Sequence, residues 1–109
     1  MESDYTPQQV AELLKGREIQ LIDVRQPYEH EAGRIEGDRL IALGELARQA
    51  ETIDHARPVV FYCRSGSRSA MATAAFREAG YDAHNMTGGL LAWDAAGLPL
   101  DPADGHVAA

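Results

Sequence analysis

The stretch at residues 58–69, PVVFYCRSGSRS, constrains the fold of this chain more than any other segment. Its first half is a short run of β-branched and aromatic residues, which is typical of a buried strand. The run ends at Cys63, a short loop of small and charged residues follows, and residues 70–79 favour a helix. A strand, a tight polar loop and a helix in this order bring backbone N–H groups together at the mouth of the loop. The sequence therefore predicts a site for negative charge where Cys63 stands.

Cys63, the only cysteine of the chain, is the candidate nucleophile. The helix that follows and two arginines, Arg64 and Arg68, favour the reactive thiolate over the thiol. The residues between these arginines are Ser65, Gly66 and Ser67. Their small side chains leave room around the sulfur, and with the arginines they are the candidate substrate-binding residues. The alternative is that Cys63 is a small buried core residue, as lone cysteines often are; its place directly before this loop favours the nucleophile.

Three motifs together resemble those of rhodanese-like sulfurtransferase domains. They are LIDVR at residues 21–25 with Glu29 and GRIEG at 33–37, CRSGSR at 63–68, and GGLLAW at 88–93 with GLP at 97–99. The second is similar to the active-site loop of the family, and the other two are similar to its upstream and closing motifs. They stand in the order that the family has and cover about residues 5–101, nearly the whole chain.

The chain departs from the family's usual pattern after the upstream motif. Arg34 stands where the family usually has His, and Asp38 stands where it usually has Ala. Ala42 stands where the Pro of an Ile-Pro pair is usual. These departures concern the connection after the first strand and leave the cysteine loop unchanged.

The order of predicted elements indicates an α/β fold with a parallel sheet, because strands alternate with helices and crossovers are right-handed. The resemblance implies a central sheet of five strands with helices on both faces. A length of 109 residues corresponds to a single domain, residues 1–109. Residues 102–109 lack apolar periodicity, so we expect a core at about residues 5–101 and a flexible tail. Residues 43–53 are expected to form one helix.

Asp23 and Arg25 end another predicted strand, at the edge of a parallel sheet where ligand sites collect. We interpret them as supporting residues of the site, and a structural ion pair between them is the favoured explanation. Glu29 is the expected partner of Arg25, since Pro27 favours a short helix there.

Composition narrows the partners of the site. The net charge of −7 argues against nucleic acid and anionic membranes, whereas the two loop arginines favour a small anion. A single cysteine excludes an internal disulfide, and the first residues lack the features of a signal peptide, so we expect a cytoplasmic protein. The four histidines lack ligand spacing and there is no nucleotide-binding fingerprint, so no metal and no cofactor are predicted. The sequence assigns no oligomeric state.

The function that the loop and the resemblance imply is sulfur transfer. Cys63 would take a sulfane sulfur from thiosulfate or a persulfide and pass it to a thiol, a protein thiol or cyanide. One alternative is a cysteine-dependent phosphatase or arsenate reductase. Related dual-specificity phosphatases have five residues between Cys and Arg, whereas four residues separate Cys63 from Arg68. The shorter loop encloses a narrower anion-binding site, which suits a sulfur atom better than a phosphate. Another alternative is a non-catalytic binding module of the same family.

Overall fold

The computed structural model describes residues 3–109, and a parallel sheet of four strands lies at its centre. The strands are β1 (Gln20–Asp23), β2 (Arg39–Leu40), β3 (Val59–Tyr62) and β4 (Ala83–Asn85), in the order β2-β1-β3-β4. All neighbouring strands are parallel, with Leu21 opposite Val60 and Val60 opposite His84. Met1 and Glu2 lie outside the described residues. They are part of the predicted domain and of the N-terminal segment in which the sequence shows no signal-peptide features.

Helices cover both faces of this sheet. They are α1 (Pro7–Lys15), α2 (Pro27–Ala32), α3 (Leu46–Gln49), α4 (Ser67–Glu78) and α5 (Gly89–Ala95). Side chains alternate along each strand, so the sheet contributes to two apolar clusters. On one face Phe61 lies with Phe76 of α4, and on the other Val60 lies with Val10 of α1 and Trp93 of α5. Both clusters are buried, and the predicted α/β fold with helices on both faces is confirmed.

A fifth strand, which the resemblance implied, is not among the described elements. Beside β4, the described residues form a single parallel bridge, between Tyr5 and Met86. The Tyr5 amide donates to the Asn85 carbonyl at 3.0 Å, but Thr6 then caps α1 with its side chain and Pro7 begins that helix. The predicted capping box, in which Thr6 and Gln9 bond reciprocally, therefore ends the extended segment before a strand can form.

The helix expected over residues 43–53 is divided, so this prediction was wrong in form. A 3₁₀ turn at Leu43–Glu45 precedes α3, and a second at Ala50–Thr52 follows it. The Thr52 hydroxyl donates to the Gln49 carbonyl at 2.6 Å, and Arg39 reaches the Thr52 side chain at 2.6 Å. Side chains thus take over hydrogen bonds that a continuous helix would make along its own backbone.

Residues 102–109, expected to be flexible, lie against the domain in the structure. Arg34 and Asp101 exchange two backbone hydrogen bonds of 3.0 and 2.8 Å, and the His106 amide donates to the Ala32 carbonyl at 3.0 Å. A Cβ atom on Gly33 would come within 2.3 Å of the His106 carbonyl oxygen, so the two segments touch closely. The mobility of this tail stays a prediction.

None of the helices within residues 3–109 combines the length and the apolar content that crossing a bilayer would require.

Candidate active site

Cys63 lies directly after β3, fully buried, with hydrogen-bond donors arranged around its sulfur. Its Sγ atom accepts from the Gly66 amide at 3.1 Å and from the Ser69 amide and hydroxyl at 3.4 Å each. Gly66 adopts a left-handed conformation, with φ of 102°, that glycine alone adopts without strain, and α4 begins at the next residue. The sequence therefore predicted correctly that backbone N–H groups converge on this position.

The donors around Sγ outweigh the cost of burial. Burial raises the pKa of the Cys63 thiol. Hydrogen bonds from the Ser69 hydroxyl and from the amides of Ser69, Gly66 and Ser65 together have a larger effect in the opposite direction, so the pKa lies below the ordinary value of a cysteine. Because a thiolate is the nucleophilic form of cysteine, this environment can activate Cys63. A cysteine that served only to fill the core would need none of these donors.

The side chains of Ser69 and Asn85 complete the site, and the sequence analysis missed both. Ser69 is fully buried, and its hydroxyl lies 2.6 Å from Oδ1 of Asn85 at the end of β4. The amide nitrogen of Asn85 donates to the Gly66 carbonyl at 3.2 Å. Ser69 directly follows the predicted loop, and that adjacency was the available signal; Asn85 reaches the site only through the pairing of β4 with β3.

Arg68 is bound to Glu29 by two hydrogen bonds of 2.8 and 2.9 Å. This ion pair, in which the Glu29 side chain is 4% exposed, ties the cysteine loop to α2. The hydrogen bond from Arg68 lowers the pKa of Glu29, and the same bond raises the pKa of Arg68. The expectation that Glu29 pairs with Arg25 was wrong, because α2 presents Glu29 to the cysteine loop instead.

Arg64, the other arginine of the loop, contacts the C-terminal tail. Its Nε–H group donates to the Ala108 carbonyl at 3.2 Å, and the Tyr28 hydroxyl donates to the Ala109 carbonyl at 3.3 Å. The end of the tail therefore contacts both the cysteine loop and α2. Ser65 and Ser67 are exposed at the loop surface, where their hydroxyl oxygens lie 3.5 Å apart.

The first turn of α5 supports the loop from behind. The Leu90 amide donates to the Cys63 carbonyl at 2.8 Å, and the Leu91 amide donates to the Arg64 carbonyl at 3.0 Å. Gly89 has a φ of 62°, and a Cβ atom there would lie 2.5 Å from the Arg64 carbonyl oxygen. Gly89 of the closing motif thus permits a close approach that fixes the backbone of the loop.

Asp23 and Arg25 form the buried ion pair that was the favoured explanation of their spacing. Both side chains are fully buried, and Arg25 Nη2 lies 2.8 Å from an Asp23 oxygen. The guanidinium also donates to the Gly33 carbonyl at 2.7 Å and lies over the Tyr62 ring. The pair therefore joins the end of β1 to the residue that follows α2, and its hydrogen bonds within residues 3–109 go to groups other than Cys63.

Two of the three departures from the family pattern, Asp38 and Arg34, have side-chain partners in the structure. Asp38 accepts hydrogen bonds from the Tyr62 hydroxyl at 2.6 Å and from His30 at 3.1 Å, and burial raises the pKa of Asp38. Arg34 makes an ion pair of 3.4 Å with Asp101. At Ala42 the chain enters a 3₁₀ turn, and this residue contributes no side-chain cap.

One group of side chains has the spacing of metal ligands. Oxygen and nitrogen atoms of Asp23, His30 and Asp38 lie within 4.8 Å of one another. Both carboxylates already accept hydrogen bonds, and a cation here would be placed against the Arg25 guanidinium, which binds Asp23. This donor set does not fit a metal well, and the absence of a metal from the protein's chemistry stays a prediction.

Comparison with known proteins agrees with this geometry. The probable adenylyltransferase/sulfurtransferase MoeZ of Mycobacterium tuberculosis is 39% identical over 95 residues, which cover 84% of this chain and only 24% of that protein. A sulfurtransferase of Allochromatium vinosum is 35% identical over 89 residues, covering 81% of this chain and 83% of the relative. A rhodanese-related protein from Thermoplasma volcanium shares the fold, with a TM-score of 0.84 over 90% of this chain and 96% of that one, at 24% identity.

The family model named rhodanese-like domain matches residues 6–96, which include the cysteine loop and the supporting turn of α5. That match leaves only short segments at either end of the chain outside it. The chain therefore belongs to the rhodanese-like domain family.

Proposed function

We propose that the protein is a sulfurtransferase that carries a sulfane sulfur on Cys63. The observation that carries this proposal is the set of donors on the Cys63 sulfur, which come from Gly66 and from the amide and hydroxyl of Ser69. Such donors stabilise negative charge on sulfur without needing to reorganise during the reaction. Relatives named sulfurtransferase at 35–39% identity support the same conclusion.

In the first half of the reaction the Cys63 thiolate attacks the outer sulfur of thiosulfate or of a persulfide. A bond forms between Sγ and this sulfur, the bond to the donor remnant breaks, and sulfite or a thiolate leaves with the electron pair. The product on the protein is a persulfide of Cys63. Its outer sulfur carries negative charge, and we expect the amides of Ser65, Gly66 and Ser67 to stabilise it, since these residues form the turn at which α4 begins.

In the second half an acceptor takes the outer sulfur. The sulfur of a thiolate acceptor forms a bond to this outer sulfur, and the bond from the outer sulfur to Sγ breaks. Cys63 keeps the electron pair and returns to the thiolate, while the acceptor leaves as a persulfide. The two halves together are ping-pong catalysis, which requires an activated nucleophile of the kind that Cys63 represents.

The two arginines of the loop have different parts in this proposal. Arg64 holds the anionic end of the donor, because its one hydrogen bond within residues 3–109 goes to a backbone carbonyl that an anion can replace. Arg68 is paired with Glu29, so it adds positive charge beside Cys63 and fixes the loop against α2. Asp23 and Arg25 support the site indirectly, because their ion pair holds the end of β1, the strand next to β3.

The proposed substrates are a small anionic sulfur donor and a thiol, protein thiol or cyanide acceptor. The net charge of −7 supports small molecules or proteins over nucleic acid or membranes. We also propose a cytoplasmic location, in which a single free cysteine stays reduced. No cofactor takes part in the proposed reaction.

The test is a comparison of thiosulfate with an aryl phosphate as substrates. The wild type should transfer sulfur to cyanide and should release the aryl alcohol only at the background rate, because four residues between Cys63 and Arg68 make a narrow cradle. A variant with one glycine inserted after Gly66 is the matched control, and it should lose sulfur transfer sharply. Robust phosphatase activity of the wild type, or no turnover of thiosulfate or of any persulfide, would overturn the proposal.

A further inference from the structure

Ser69 and Asn85 form a buried pair behind the sulfur of Cys63. Ser69 is fully buried and Asn85 is 8% exposed. The Ser69 oxygen lies 2.6 Å from Oδ1 of Asn85 and 3.4 Å from Sγ. The other end of the same amide, Nδ2, lies 3.2 Å from the Gly66 carbonyl oxygen. One hydroxyl therefore has two acceptors within reach, although it carries a single hydrogen.

These contacts fix where the hydrogen of Ser69 lies while Sγ of Cys63 carries no charge. The Gly66 carbonyl can only accept, so the nitrogen of the Asn85 amide must face it. The amide oxygen of Asn85 then faces Ser69, and because this oxygen also only accepts, the Ser69 hydroxyl donates to it. The sulfur of Cys63 consequently faces a lone pair of the Ser69 oxygen, to which a thiol S–H group can donate.

We propose that Ser69 is a catalytic residue whose hydrogen turns from Asn85 to Sγ whenever Cys63 becomes a thiolate. In this proposal Asn85 is the positioning residue, which accepts the Ser69 hydrogen whenever Sγ is not a thiolate. The part that concerns turnover rests on the proposed sulfur transfer. The hydroxyl keeps its proton throughout, so the step is a rotation that exchanges one hydrogen bond for another.

The rotation matters most when the persulfide is consumed. The acceptor thiolate bonds to the outer sulfur, the bond from that sulfur to Sγ breaks, and the electron pair stays on Sγ of Cys63. A buried sulfur that gains a full charge needs a donor at that moment. Ser69 is already in contact with Sγ, and it supplies this donor without any movement of the backbone.

Asn85 has a second effect that supports the first. By holding the Gly66 carbonyl it fixes the residue whose amide also donates to Sγ, at 3.1 Å. The hydroxyl and the amide are thus kept at the sulfur by one side chain from β4. The lowered pKa of the Cys63 thiol, to which the Ser69 hydroxyl and the Ser69 and Gly66 amides contribute against burial, agrees with this arrangement.

The first experiment measures the pH dependence of Cys63 alkylation by iodoacetamide, which requires no sulfur transfer. Ser69→Ala should raise the pKa of Cys63. Asn85→Ala should lower it, because the hydroxyl then has no competing acceptor and donates to the thiolate. In a Ser69→Ala background the Asn85→Ala change should leave the pKa unchanged or raise it, because only the hold on the Gly66 carbonyl is then lost. Thr73→Val is the matched control, since the Thr73 hydroxyl is buried on the same helix but donates to the Ser69 carbonyl, at 2.8 Å.

The second experiment separates the two half-reactions in single turnovers, at a pH where Cys63 is a thiolate in every variant. Ser69→Ala should slow the removal of sulfur from the persulfide by about tenfold to a hundredfold. Ser69→Ala should slow the formation of the persulfide much less, because in that half-reaction the charge on Sγ disappears and no new charge needs a donor. The Thr73→Val control should change neither rate.

The outcomes separate the possibilities. An unchanged pKa in Ser69→Ala, equal slowing of both halves, or a lowering of the pKa by Asn85→Ala that persists without Ser69 would overturn the proposal. Asn85→Leu, which preserves most of the volume, replaces Asn85→Ala if that variant does not fold, and Ser69→Ala decides the main point by itself. If thiosulfate and persulfides give no turnover, the proposed function fails, whereas the alkylation data still decide where the hydrogen goes.

Discussion

The parallel strands β1 and β3 end side by side at one edge of the sheet, each with buried polar groups, and the two ends differ in charge balance. At the end of β1, Asp23 and Arg25 cancel one another in a fully buried ion pair. At the end of β3, the sulfur of Cys63 receives hydrogen bonds from two amides and a hydroxyl and has no comparable ion pair of its own within residues 3–109. The charges at the first end are balanced within the protein, although Nη1 of Arg25 is buried without a hydrogen-bond partner among the described residues. The donors at the second end can stabilise a negative charge that forms and disappears on Sγ.

This difference shows how a structural pair and a reactive group can share one edge of a sheet. Removing one partner of a balanced buried pair leaves an uncompensated charge, so the loss appears in folding stability. Removing donors around a thiolate affects mainly the charged state, so the loss appears in reactivity. Variants at the two ends should therefore separate loss of stability from loss of activity.

The largest effect on stability is expected at the end of β1. Asp23→Asn leaves the buried Arg25 charge without its partner and should lower the free energy of unfolding by about 3–5 kcal/mol. Urea unfolding followed by circular dichroism measures the change. A double variant, Asp23→Leu with Arg25→Met, removes both charges and should be closer to the wild type. A loss below about 1 kcal/mol in Asp23→Asn would contradict the assignment.

A substitution behind the loop should affect stability and reactivity together. Gly89→Ala places a Cβ atom 2.5 Å from the Arg64 carbonyl oxygen at a left-handed residue, so the cysteine loop must shift. We expect a loss of about 2–3 kcal/mol and slower alkylation of Cys63. Gly97→Ala is the matched control, because Gly97 has a φ of 77° and a Cβ atom added there would meet nothing within 4 Å. It should cost about 1 kcal/mol and leave alkylation unchanged; equal alkylation rates in the two variants would refute the role of Gly89.

The ion pair between the loop and α2 should give a smaller effect that depends on pH. Glu29→Gln should lower the free energy of unfolding by about 1–2 kcal/mol at neutral pH, because the partly exposed Arg68 is screened by solvent. The lowered pKa of Glu29 means that this stabilisation is present above the ordinary value of 4.5 and is lost as the pH falls through the folded-state pKa. Denaturation at several pH values should show the variant and the wild type converging in acid. A difference that grows toward acid would contradict the sign.

The smallest effect on stability is expected at Arg64. Its bond to the Ala108 carbonyl is a single contact of a half-buried side chain, so Arg64→Ala should change the free energy of unfolding by less than about 0.5 kcal/mol. The same variant should raise KM for thiosulfate and leave KM for a neutral organic persulfide nearly unchanged. Steady-state kinetics with both donors measure this contrast. An equal rise for the two donors would argue that Arg64 does not bind the anionic end.

The parts of the site that could be predicted from the sequence are those determined by neighbouring residues. The loop from Cys63 to Arg68 directs its amides inward because a strand ends and a helix begins there. The partners that complete it lie far away along the chain: Glu29 is 39 residues from Arg68, and Ala108 is 44 residues from Arg64. Only the folding of α2 and the tail onto the loop brings them together.

The fold shows the same division. The capping box at Thr6 and Gln9 could be predicted because its two members stand three residues apart. The number of strands could not, because it depends on how Tyr5 meets Met86 across the sheet. Asn85 is the clearest case, since nothing in its neighbourhood marks it, and yet it contacts both Ser69 and Gly66.

The most direct test of the central claim is the intact mass of the protein after incubation with thiosulfate. Cys63 is the only cysteine of the chain, so a persulfide has one place to form. The account predicts a gain of one sulfur atom that a reducing agent removes, and no gain in Cys63→Ser. An unchanged mass in the wild type with thiosulfate and with persulfide donors, or the same gain in Cys63→Ser, would contradict it.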